Sequence, residues 1–263
     1  MRRLVNLLQT RVMPCLLLRN NRLVKTVQFN NPDYIGDPVN AIKIYNEKEV
    51  DELIFLDISA TTEQRSPPFK MISEITNECF MPVTYGGGIR TLEDMKKIFS
   101  LGIEKISINS YSVEKPEFIK MAAEQFGSQS IVVSVDVKKN LFGNYKVWTH
   151  SATKNTSLDP VNHAKIMEDL GAGEILLTSV DREGTMKGYD LDLIKLITEN
   201  ISIPLIACGG AGSVQHFADA VKAGASAVAS GSMVVYQGKN RGVLINFPLQ
   251  EEIKRIFDSN NIY

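Results

Sequence analysis

Two glycine-rich stretches, Gly86-Gly-Gly-Ile-Arg90 and Gly209-Gly-Ala-Gly212, each follow an apolar run and precede a helical pattern. Glycine there lets the backbone approach a ligand closely, and the N–H groups that open the next helix can cradle a phosphate. One such loop says little, because glycines also make ordinary tight turns between a strand and a helix. Two related copies about 120 residues apart point further, to a ligand with a phosphate at each end. Asn109-Ser110 and Ser230-Gly231-Ser232 close two more apolar runs. Small hydroxyl and backbone donors suit phosphate oxygens, although Ser and Gly are also plain turn residues.

A second group of residues carries charge at the opposite ends of the runs. Strand periodicity puts Arg11 on one face with Met13, Cys15 and Leu17; Glu52 with Ile54 and Leu56; Lys105 with Ser107 and Asn109; and Glu174 with Leu176 and Thr178. In a closed barrel these four would form a ring of two cations and two anions, at the mouth away from the glycine loops. Strand starts also carry charge simply because they meet water. The mixed sign of the ring is what suggests a gate. The run Ile131 to Lys138 delivers a carboxylate, Asp136, at its outgoing end, where the similarly shaped stretch Arg11 to Lys25 delivers Leu17. Only the first can transfer a proton.

These groups need a scaffold that presents strand ends together. Candidate strands are Val12 to Leu18, Glu52 to Asp57, Met81 to Tyr85, Lys105 to Asn109, Ile131 to Asp136, Glu174 to Thr178, Ile203 to Ala207 and Ala227 to Ser230. Helical patterns lie between them, such as Thr91 to Ser100, capped by Thr91, and Ser213 to Ala223, closed by Gly224. Right-handed crossovers then make the sheet parallel. An internal repeat separates a closed barrel from an open doubly wound sheet. Asp51-Glu-Leu-Ile-Phe-Leu-Asp57 recurs as Gly173-Glu-Ile-Leu-Leu-Thr178, and Pro82-Val-Thr-Tyr-Gly-Gly-Gly88 as Pro204-Leu-Ile-Ala-Cys-Gly-Gly210. The expected fold is one α/β domain, a (β/α)8 TIM barrel over residues 11–263, with half-barrels at about 11–128 and 129–263.

Composition agrees with an ordinary soluble globule. Of 263 residues, 44% are hydrophobic and 22% charged, and 29 basic residues nearly cancel 30 acidic ones, which gives no basic surface for nucleic acid or membrane. Cys15, Cys79 and Cys208 lack CxxC spacing, and His150, His163 and His216 lack metal-ligand rhythm. A reducing cytoplasm is expected, with no metal and no cofactor. Residues 1–10 begin like the basic part of a signal peptide, but the apolar run is short and no small-residue cleavage site follows, so they read as a solvated or loosely docked leader.

The chain closely resembles the cyclase subunits of imidazole glycerol phosphate synthase, from Arg11 to about Ser232. The resemblance rests on Gly36-Asp-Pro-Val, Asp51-Glu-Leu-Ile-Phe-Leu-Asp57, Gly86-Gly-Gly-Ile-Arg90, Lys105-Ile-Ser-Ile-Asn109, Phe126-Gly-Ser-Gln129, Gly171-Ala-Gly-Glu-Ile-Leu-Leu-Thr-Ser179 and Gly209-Gly-Ala-Gly212. It implies a (β/α)8 barrel with a glutaminase subunit docked on the N-terminal face of the strands. Ammonia would cross the barrel to a ribulosyl aminoimidazole carboxamide nucleotide bearing two phosphates, and cyclisation and cleavage would yield imidazole glycerol phosphate and aminoimidazole carboxamide ribotide, a step of histidine biosynthesis. Arg11, Glu52, Lys105 and Glu174 fall on the family's ammonia-gate positions. Gly88, Asn109 and Ser110 match one phosphate site, and Gly184, Gly210, Gly231 and Ser232 the other. Asp136 matches one carboxylate of an acid–base pair, and Lys25, Asp57 and Thr178 coincide with active-face positions.

Departures from the family pattern are Leu17 for the acid of the first strand, Glu183 for an Asp, Cys208 for a Ser, and the segment Val234 to Pro248. Loss of one member of an acid–base pair typically costs about two to four orders of magnitude in rate. Two routes answer the loss of the first-strand acid. Lys25, Glu183 or water takes over its role, or the chain is a paralogue whose ammonia serves a separate amidotransferase that installs an acetamidino group on a bacterial surface sugar. A noncatalytic scaffold for a glutaminase is a third class, against which the retained phosphate positions speak. The formal expectation is the ammonia-dependent synthase, a lyase, with the amidination role as its alternative.

Overall fold

The computed structural model describes residues 10–238 and 240–262. Eight parallel strands close on themselves: β1 (Arg11–Arg19), β2 (Leu53–Asp57), β3 (Val83–Gly86), β4 (Lys105–Ile108), β5 (Ile131–Lys139), β6 (Glu174–Ser179), β7 (Leu205–Cys208) and β8 (Ala227–Ser230). Each pairs with its neighbour in chain order, and β8 returns to β1 with Ala227 opposite Arg11 and Ser230 opposite Pro14. The chain is therefore the (β/α)8 TIM barrel that the alternation predicts. Two strands start later than expected, β3 at Val83 and β7 at Leu205, because Pro82 and Pro204 have no N–H to donate to a ladder. Their carbonyls still accept, from Leu53 and Ile175.

Local signals start the helices that wrap the barrel. Thr91 accepts from the N–H of Asp94 at 3.0 Å and opens Leu92–Ser100, as expected, whereas Ser213 opens Val214–Lys222 without a side-chain cap bond. Asp37 caps Pro38–Glu47 and Asp159 caps Pro160–Asp169, each followed by Pro at the first helical position, where a missing N–H does no harm. Between strands and helices lies the large core, with Leu16, Phe55, Tyr85, Ile106, Val133 and Phe217 fully or nearly fully buried. A smaller cluster of Met13, Cys15, Ile54, Val132, Leu176, Ile206, Ala227 and Ala229 plugs the barrel interior.

Strands β1 and β5 outrun the wall. The first turns at Asn20-Asn21, both with left-handed φ (49° and 61°), into Arg22–Val27, which pairs in turn with Asn30–Gly36. Two consecutive left-handed residues match the twist of a tight hairpin, and Asn tolerates that region best after Gly. The second strand turns back into Tyr145–Thr149, which pairs with Lys154–Asn155. Asn30–Gly36 is not legible as a strand beforehand, because its residues are mostly polar and exposed, and neither Tyr145–Thr149 nor Lys154–Asn155 is among the expected strands. After β8 a short antiparallel pair, Tyr236–Gln237 with Gly242–Val243, occupies the segment that departs from the family pattern. The expected leader lies outside the described residues except for Thr10. No described helix is long and apolar enough to cross a membrane.

Candidate functional site

At the N-terminal end of the barrel the four expected charges meet. Arg11 Nη1 lies 2.7 Å from Glu52 Oε2 and Nη2 lies 2.5 Å from Glu174 Oε1; Lys105 Nζ lies 3.3 Å from Glu52 and 3.1 Å from Glu174. Each cation bridges both anions, so the ring is closed. Glu52 precedes β2 rather than opening it, yet its other oxygen accepts from the Thr84 hydroxyl at 2.9 Å, which holds it over the axis. Burial opposes the charge on Arg11, but Glu174 and Glu52 outweigh it and hold the guanidinium above its ordinary pKa. Buried pairs gain little net stability over apolar residues of the same size, because desolvation offsets attraction. The four pairs are only partly buried, with 28% of the Arg11 and 19% of the Lys105 side chain exposed, and they span the barrel axis.

At the C-terminal end the mouth divides in two. The first cleft is lined by Gly86, Gly87, Gly88, Arg90, Ser107, Asn109, Ser110, Ser134 and Asp136 among others. Gly88 has φ +73°, and a Cβ there would meet the Arg65 carbonyl at 2.6 Å, so the close approach of backbone requires glycine. Asp136 is buried, 7% exposed, at the end of β5. Desolvation lifts its pKa to about 7, Glu183 adds to the rise, and hydrogen bonds from Thr178, Ser134 and Asn109 work against it. A carboxyl balanced near neutrality can both accept and return a proton.

The expected phosphate ligands of this cleft are placed in it, but with their side chains engaged. Asn109 Nδ2 donates to Ser134 O at 3.0 Å and to Asp136 Oδ2 at 3.1 Å, so it orients the acid. Ser110 Oγ accepts from the His150 N–H at 3.0 Å and donates to Asn109 Oδ1 at 3.2 Å. Asp57 lines the cleft too, yet its Oδ1 accepts from the N–H groups of Ser59 and Ala60, both at 3.0 Å, and Arg65 lies 3.4 Å from it. It holds the loop after β2 in shape. The Ser107 hydroxyl, in contrast, is buried in the floor without a partner.

The second cleft is lined by Lys25, Thr178, Glu183, Gly184, Gly210, Ser230, Gly231 and Ser232, with Cys15 and Cys208 beneath. Gly210 has φ +113°, and a Cβ would strike the Gly188 carbonyl at 2.2 Å. The hydroxyls of Ser230 and Ser232 are buried and unpartnered. Lys25 and Glu183, expected as separate supporting groups, form a buried ion pair with each other, and Glu183 Oε2 also accepts from the Phe29 N–H at 3.0 Å. Cys208, in place of a hydroxyl, hydrogen-bonds with the thiol of Cys15.

Leu17, Phe29 and Leu56 line both clefts and form the ridge between them. Leu17, 5% exposed, thus stands at the centre of the mouth. Phe29 escapes sequence reading, since only the left-handed turn at φ +58° and the contact with Glu183 bring it over the barrel. Among the described residues no group of three or more His, Cys, Asp or Glu is arranged to hold a metal ion.

Comparison with known proteins finds related chains along this whole architecture. Residues 11–241 match the family described as "Histidine biosynthesis protein". A Pseudomonas aeruginosa protein, provisionally named imidazole glycerol phosphate synthase subunit hisF2, is 49% identical over 243 residues, covering 92% of this chain and 97% of its own. A Vibrio vulnificus protein, provisionally named subunit hisF3 of the same synthase, is 45% identical over 261 residues, 97% of this chain and 99% of its own. The imidazole glycerol phosphate synthase subunit HisF of Alkaliphilus metalliredigens is 46% identical over 227 residues, 86% and 90% of the two chains.

Proposed function

The chain belongs to the histidine biosynthesis protein family, and on that premise we propose that it is the synthase subunit that takes ammonia from a glutaminase and acts on a ribulosyl aminoimidazole carboxamide nucleotide with two phosphates, giving imidazole glycerol phosphate and aminoimidazole carboxamide ribotide. The observation that carries the reading is the opposition of two ends. A closed ring of Arg11, Glu52, Lys105 and Glu174 blocks one mouth, and two glycine-floored clefts share the other. The glutaminase docks on the N-terminal face, and ammonia passes when the ring parts. The apolar interior of Met13, Ile54, Val132, Leu176 and Ile206 favours neutral ammonia over ammonium, whose desolvation is costly.

The nucleotide spans the mouth. Gly88 and the backbone at Asn109 and Ser110 take one phosphate; Gly184, Gly210, Gly231 and Ser232 take the other, with the free Ser232 hydroxyl as a donor. Between them Asp136 takes the proton lost by the incoming nitrogen as it adds to the ribulosyl carbonyl and returns one as the imidazole ring closes, steps that its pKa of about 7 suits. Thr178 and Asn109 hold that carboxyl in place. The reaction takes place in the cytoplasm, where thiols such as Cys15 and Cys208 stay reduced.

A second reading is favoured by Leu17, which leaves Asp136 without a partner acid. In it, the barrel conducts ammonia to a separate amidotransferase that installs an acetamidino group on a surface sugar. One experiment decides. Purified chain supplied with ammonium and the two-phosphate nucleotide should form both products under the first reading. Ammonia release into the barrel from a glutaminase, with no nucleotide turnover in either format, would support the second.

A further inference from the structure

The two clefts differ in their supply of positive charge. Arg90 lines the first, and its Nη2 donates to the carbonyl of Thr61, in the loop after β2, at 3.4 Å. The residue that corresponds to Arg90 in the second glycine loop is Gly212, which brings no cation. Among the described residues lining the second cleft the one cation is Lys25, and Glu183 neutralises it. A phosphate dianion entering there would find donors but no net positive charge.

We propose that Arg241 supplies that charge and binds the phosphate held at Gly184, Gly210 and Ser232. Its Nη2 donates at 2.7 Å to the carbonyl of Gly184, a lining residue of the second cleft in the loop after β6. This is the counterpart of the contact between Arg90 and Thr61, reached from a different part of the chain. Arg241 sits in the turn between Tyr236–Gln237 and Gly242–Val243, with left-handed φ of 51°, and its guanidinium lies 5.9 Å from the centre of the Tyr236 ring. A guanidinium has five donors in a planar fork, so one bond to Gly184 leaves an edge for phosphate oxygens. Ser230 and Ser232, 2% and 4% exposed, have buried hydroxyls without partners, which independently mark the cleft as built for an acceptor-rich ligand. The departure of this segment from the family pattern therefore has a function: it replaces, from outside the repeat, the arginine that the second half lacks.

The inference rests on reading the clefts as phosphate sites, and the test separates the two. Isotope-labelled protein is titrated with inorganic phosphate while the amide resonances of Gly88 and Gly210 report the two clefts separately. Arg241→Gln, which offers a neutral donor, should weaken binding at Gly210 about tenfold and leave Gly88 unchanged; Arg90→Gln should do the reverse. Arg241→Lys, which keeps the charge, should restore most of the affinity. Unchanged affinity at Gly210 in Arg241→Gln, or Lys faring no better than Gln, would make Arg241 a clasp for the Gly184 loop and overturn the proposal alone. No response of Gly210 in the natural protein would overturn the phosphate reading along with it.

Discussion

Strands β1 and β5 both run nine residues, outlast the barrel wall and turn into antiparallel hairpins, yet the inward side chain at the top is Leu17 in one and Asp136 in the other. Their surroundings have diverged with them. Asn109, Ser134 and Thr178 all donate to Asp136, whereas Leu17 pairs with Leu56 and Val24 and shares a ridge with Phe29. The two strands keep one backbone plan and end in different chemistry, an aliphatic side chain in one and a carboxyl in the other. Asp136 lies in the first cleft, whereas Leu17 belongs to the apolar divide, and Lys25 is paired with Glu183 across the mouth.

The largest effect should come from removing the carboxyl of Asp136. Asp136→Asn should lower ammonium-dependent turnover by about two to four orders of magnitude. The same change should raise the melting temperature at pH 8. The folded pKa of about 7 lies above the ordinary carboxyl value of 3.8, so the stability contribution of Asp136 is complete below the lower value and is lost as pH rises through the upper one. A variant that is inactive but no more stable at pH 8 would mean that the carboxylate is better solvated than its burial implies.

At the other end of the barrel, Lys105→Glu leaves three acids facing Arg11. Glutamine-dependent turnover with the glutaminase should fall at least about tenfold, the equivalent of about 1.4 kcal/mol, with ammonium-dependent turnover little changed. Equal losses in both assays would remove the gate. Leu17→Asp tests the comparison from the opposite side. Ammonium-dependent turnover should rise about tenfold, well short of a full acid–base contribution because the apolar ridge raises the new carboxyl's pKa. Adding Asp136→Asn should abolish the gain. Robust turnover by the natural protein that Leu17→Asp does not improve would show that another group already does this work.

The smallest effect concerns how the clefts sense each other. Glu183 raises the pKa of Asp136, so Glu183→Gln, which also frees Lys25, should move the midpoint of Asp136 down from about 7, as followed by its carboxyl resonance against pH. An unmoved midpoint would make the two clefts electrostatically independent.

Much of the site was legible beforehand for a local reason. Side chains alternate along a strand, so Arg11, Glu52, Lys105 and Glu174 could be assigned to one end and Asp136 to the other from spacing alone, and the repeated glycine loops marked both clefts. The break at Leu17 is equally a property of the sequence. Which polar groups are free and which are engaged belongs to the tertiary structure. Asn109 turns onto Asp136, Asp57 onto the Ser59 and Ala60 amides, Lys25 onto Glu183, and Arg241 onto Gly184, contacts that in most cases join residues far apart in the chain. The pKa of Asp136 and the placement of Phe29 have the same origin. Periodicity sets which face a side chain leaves from; the distance to a partner on another strand or loop, and the water excluded between them, exist only once the barrel has closed.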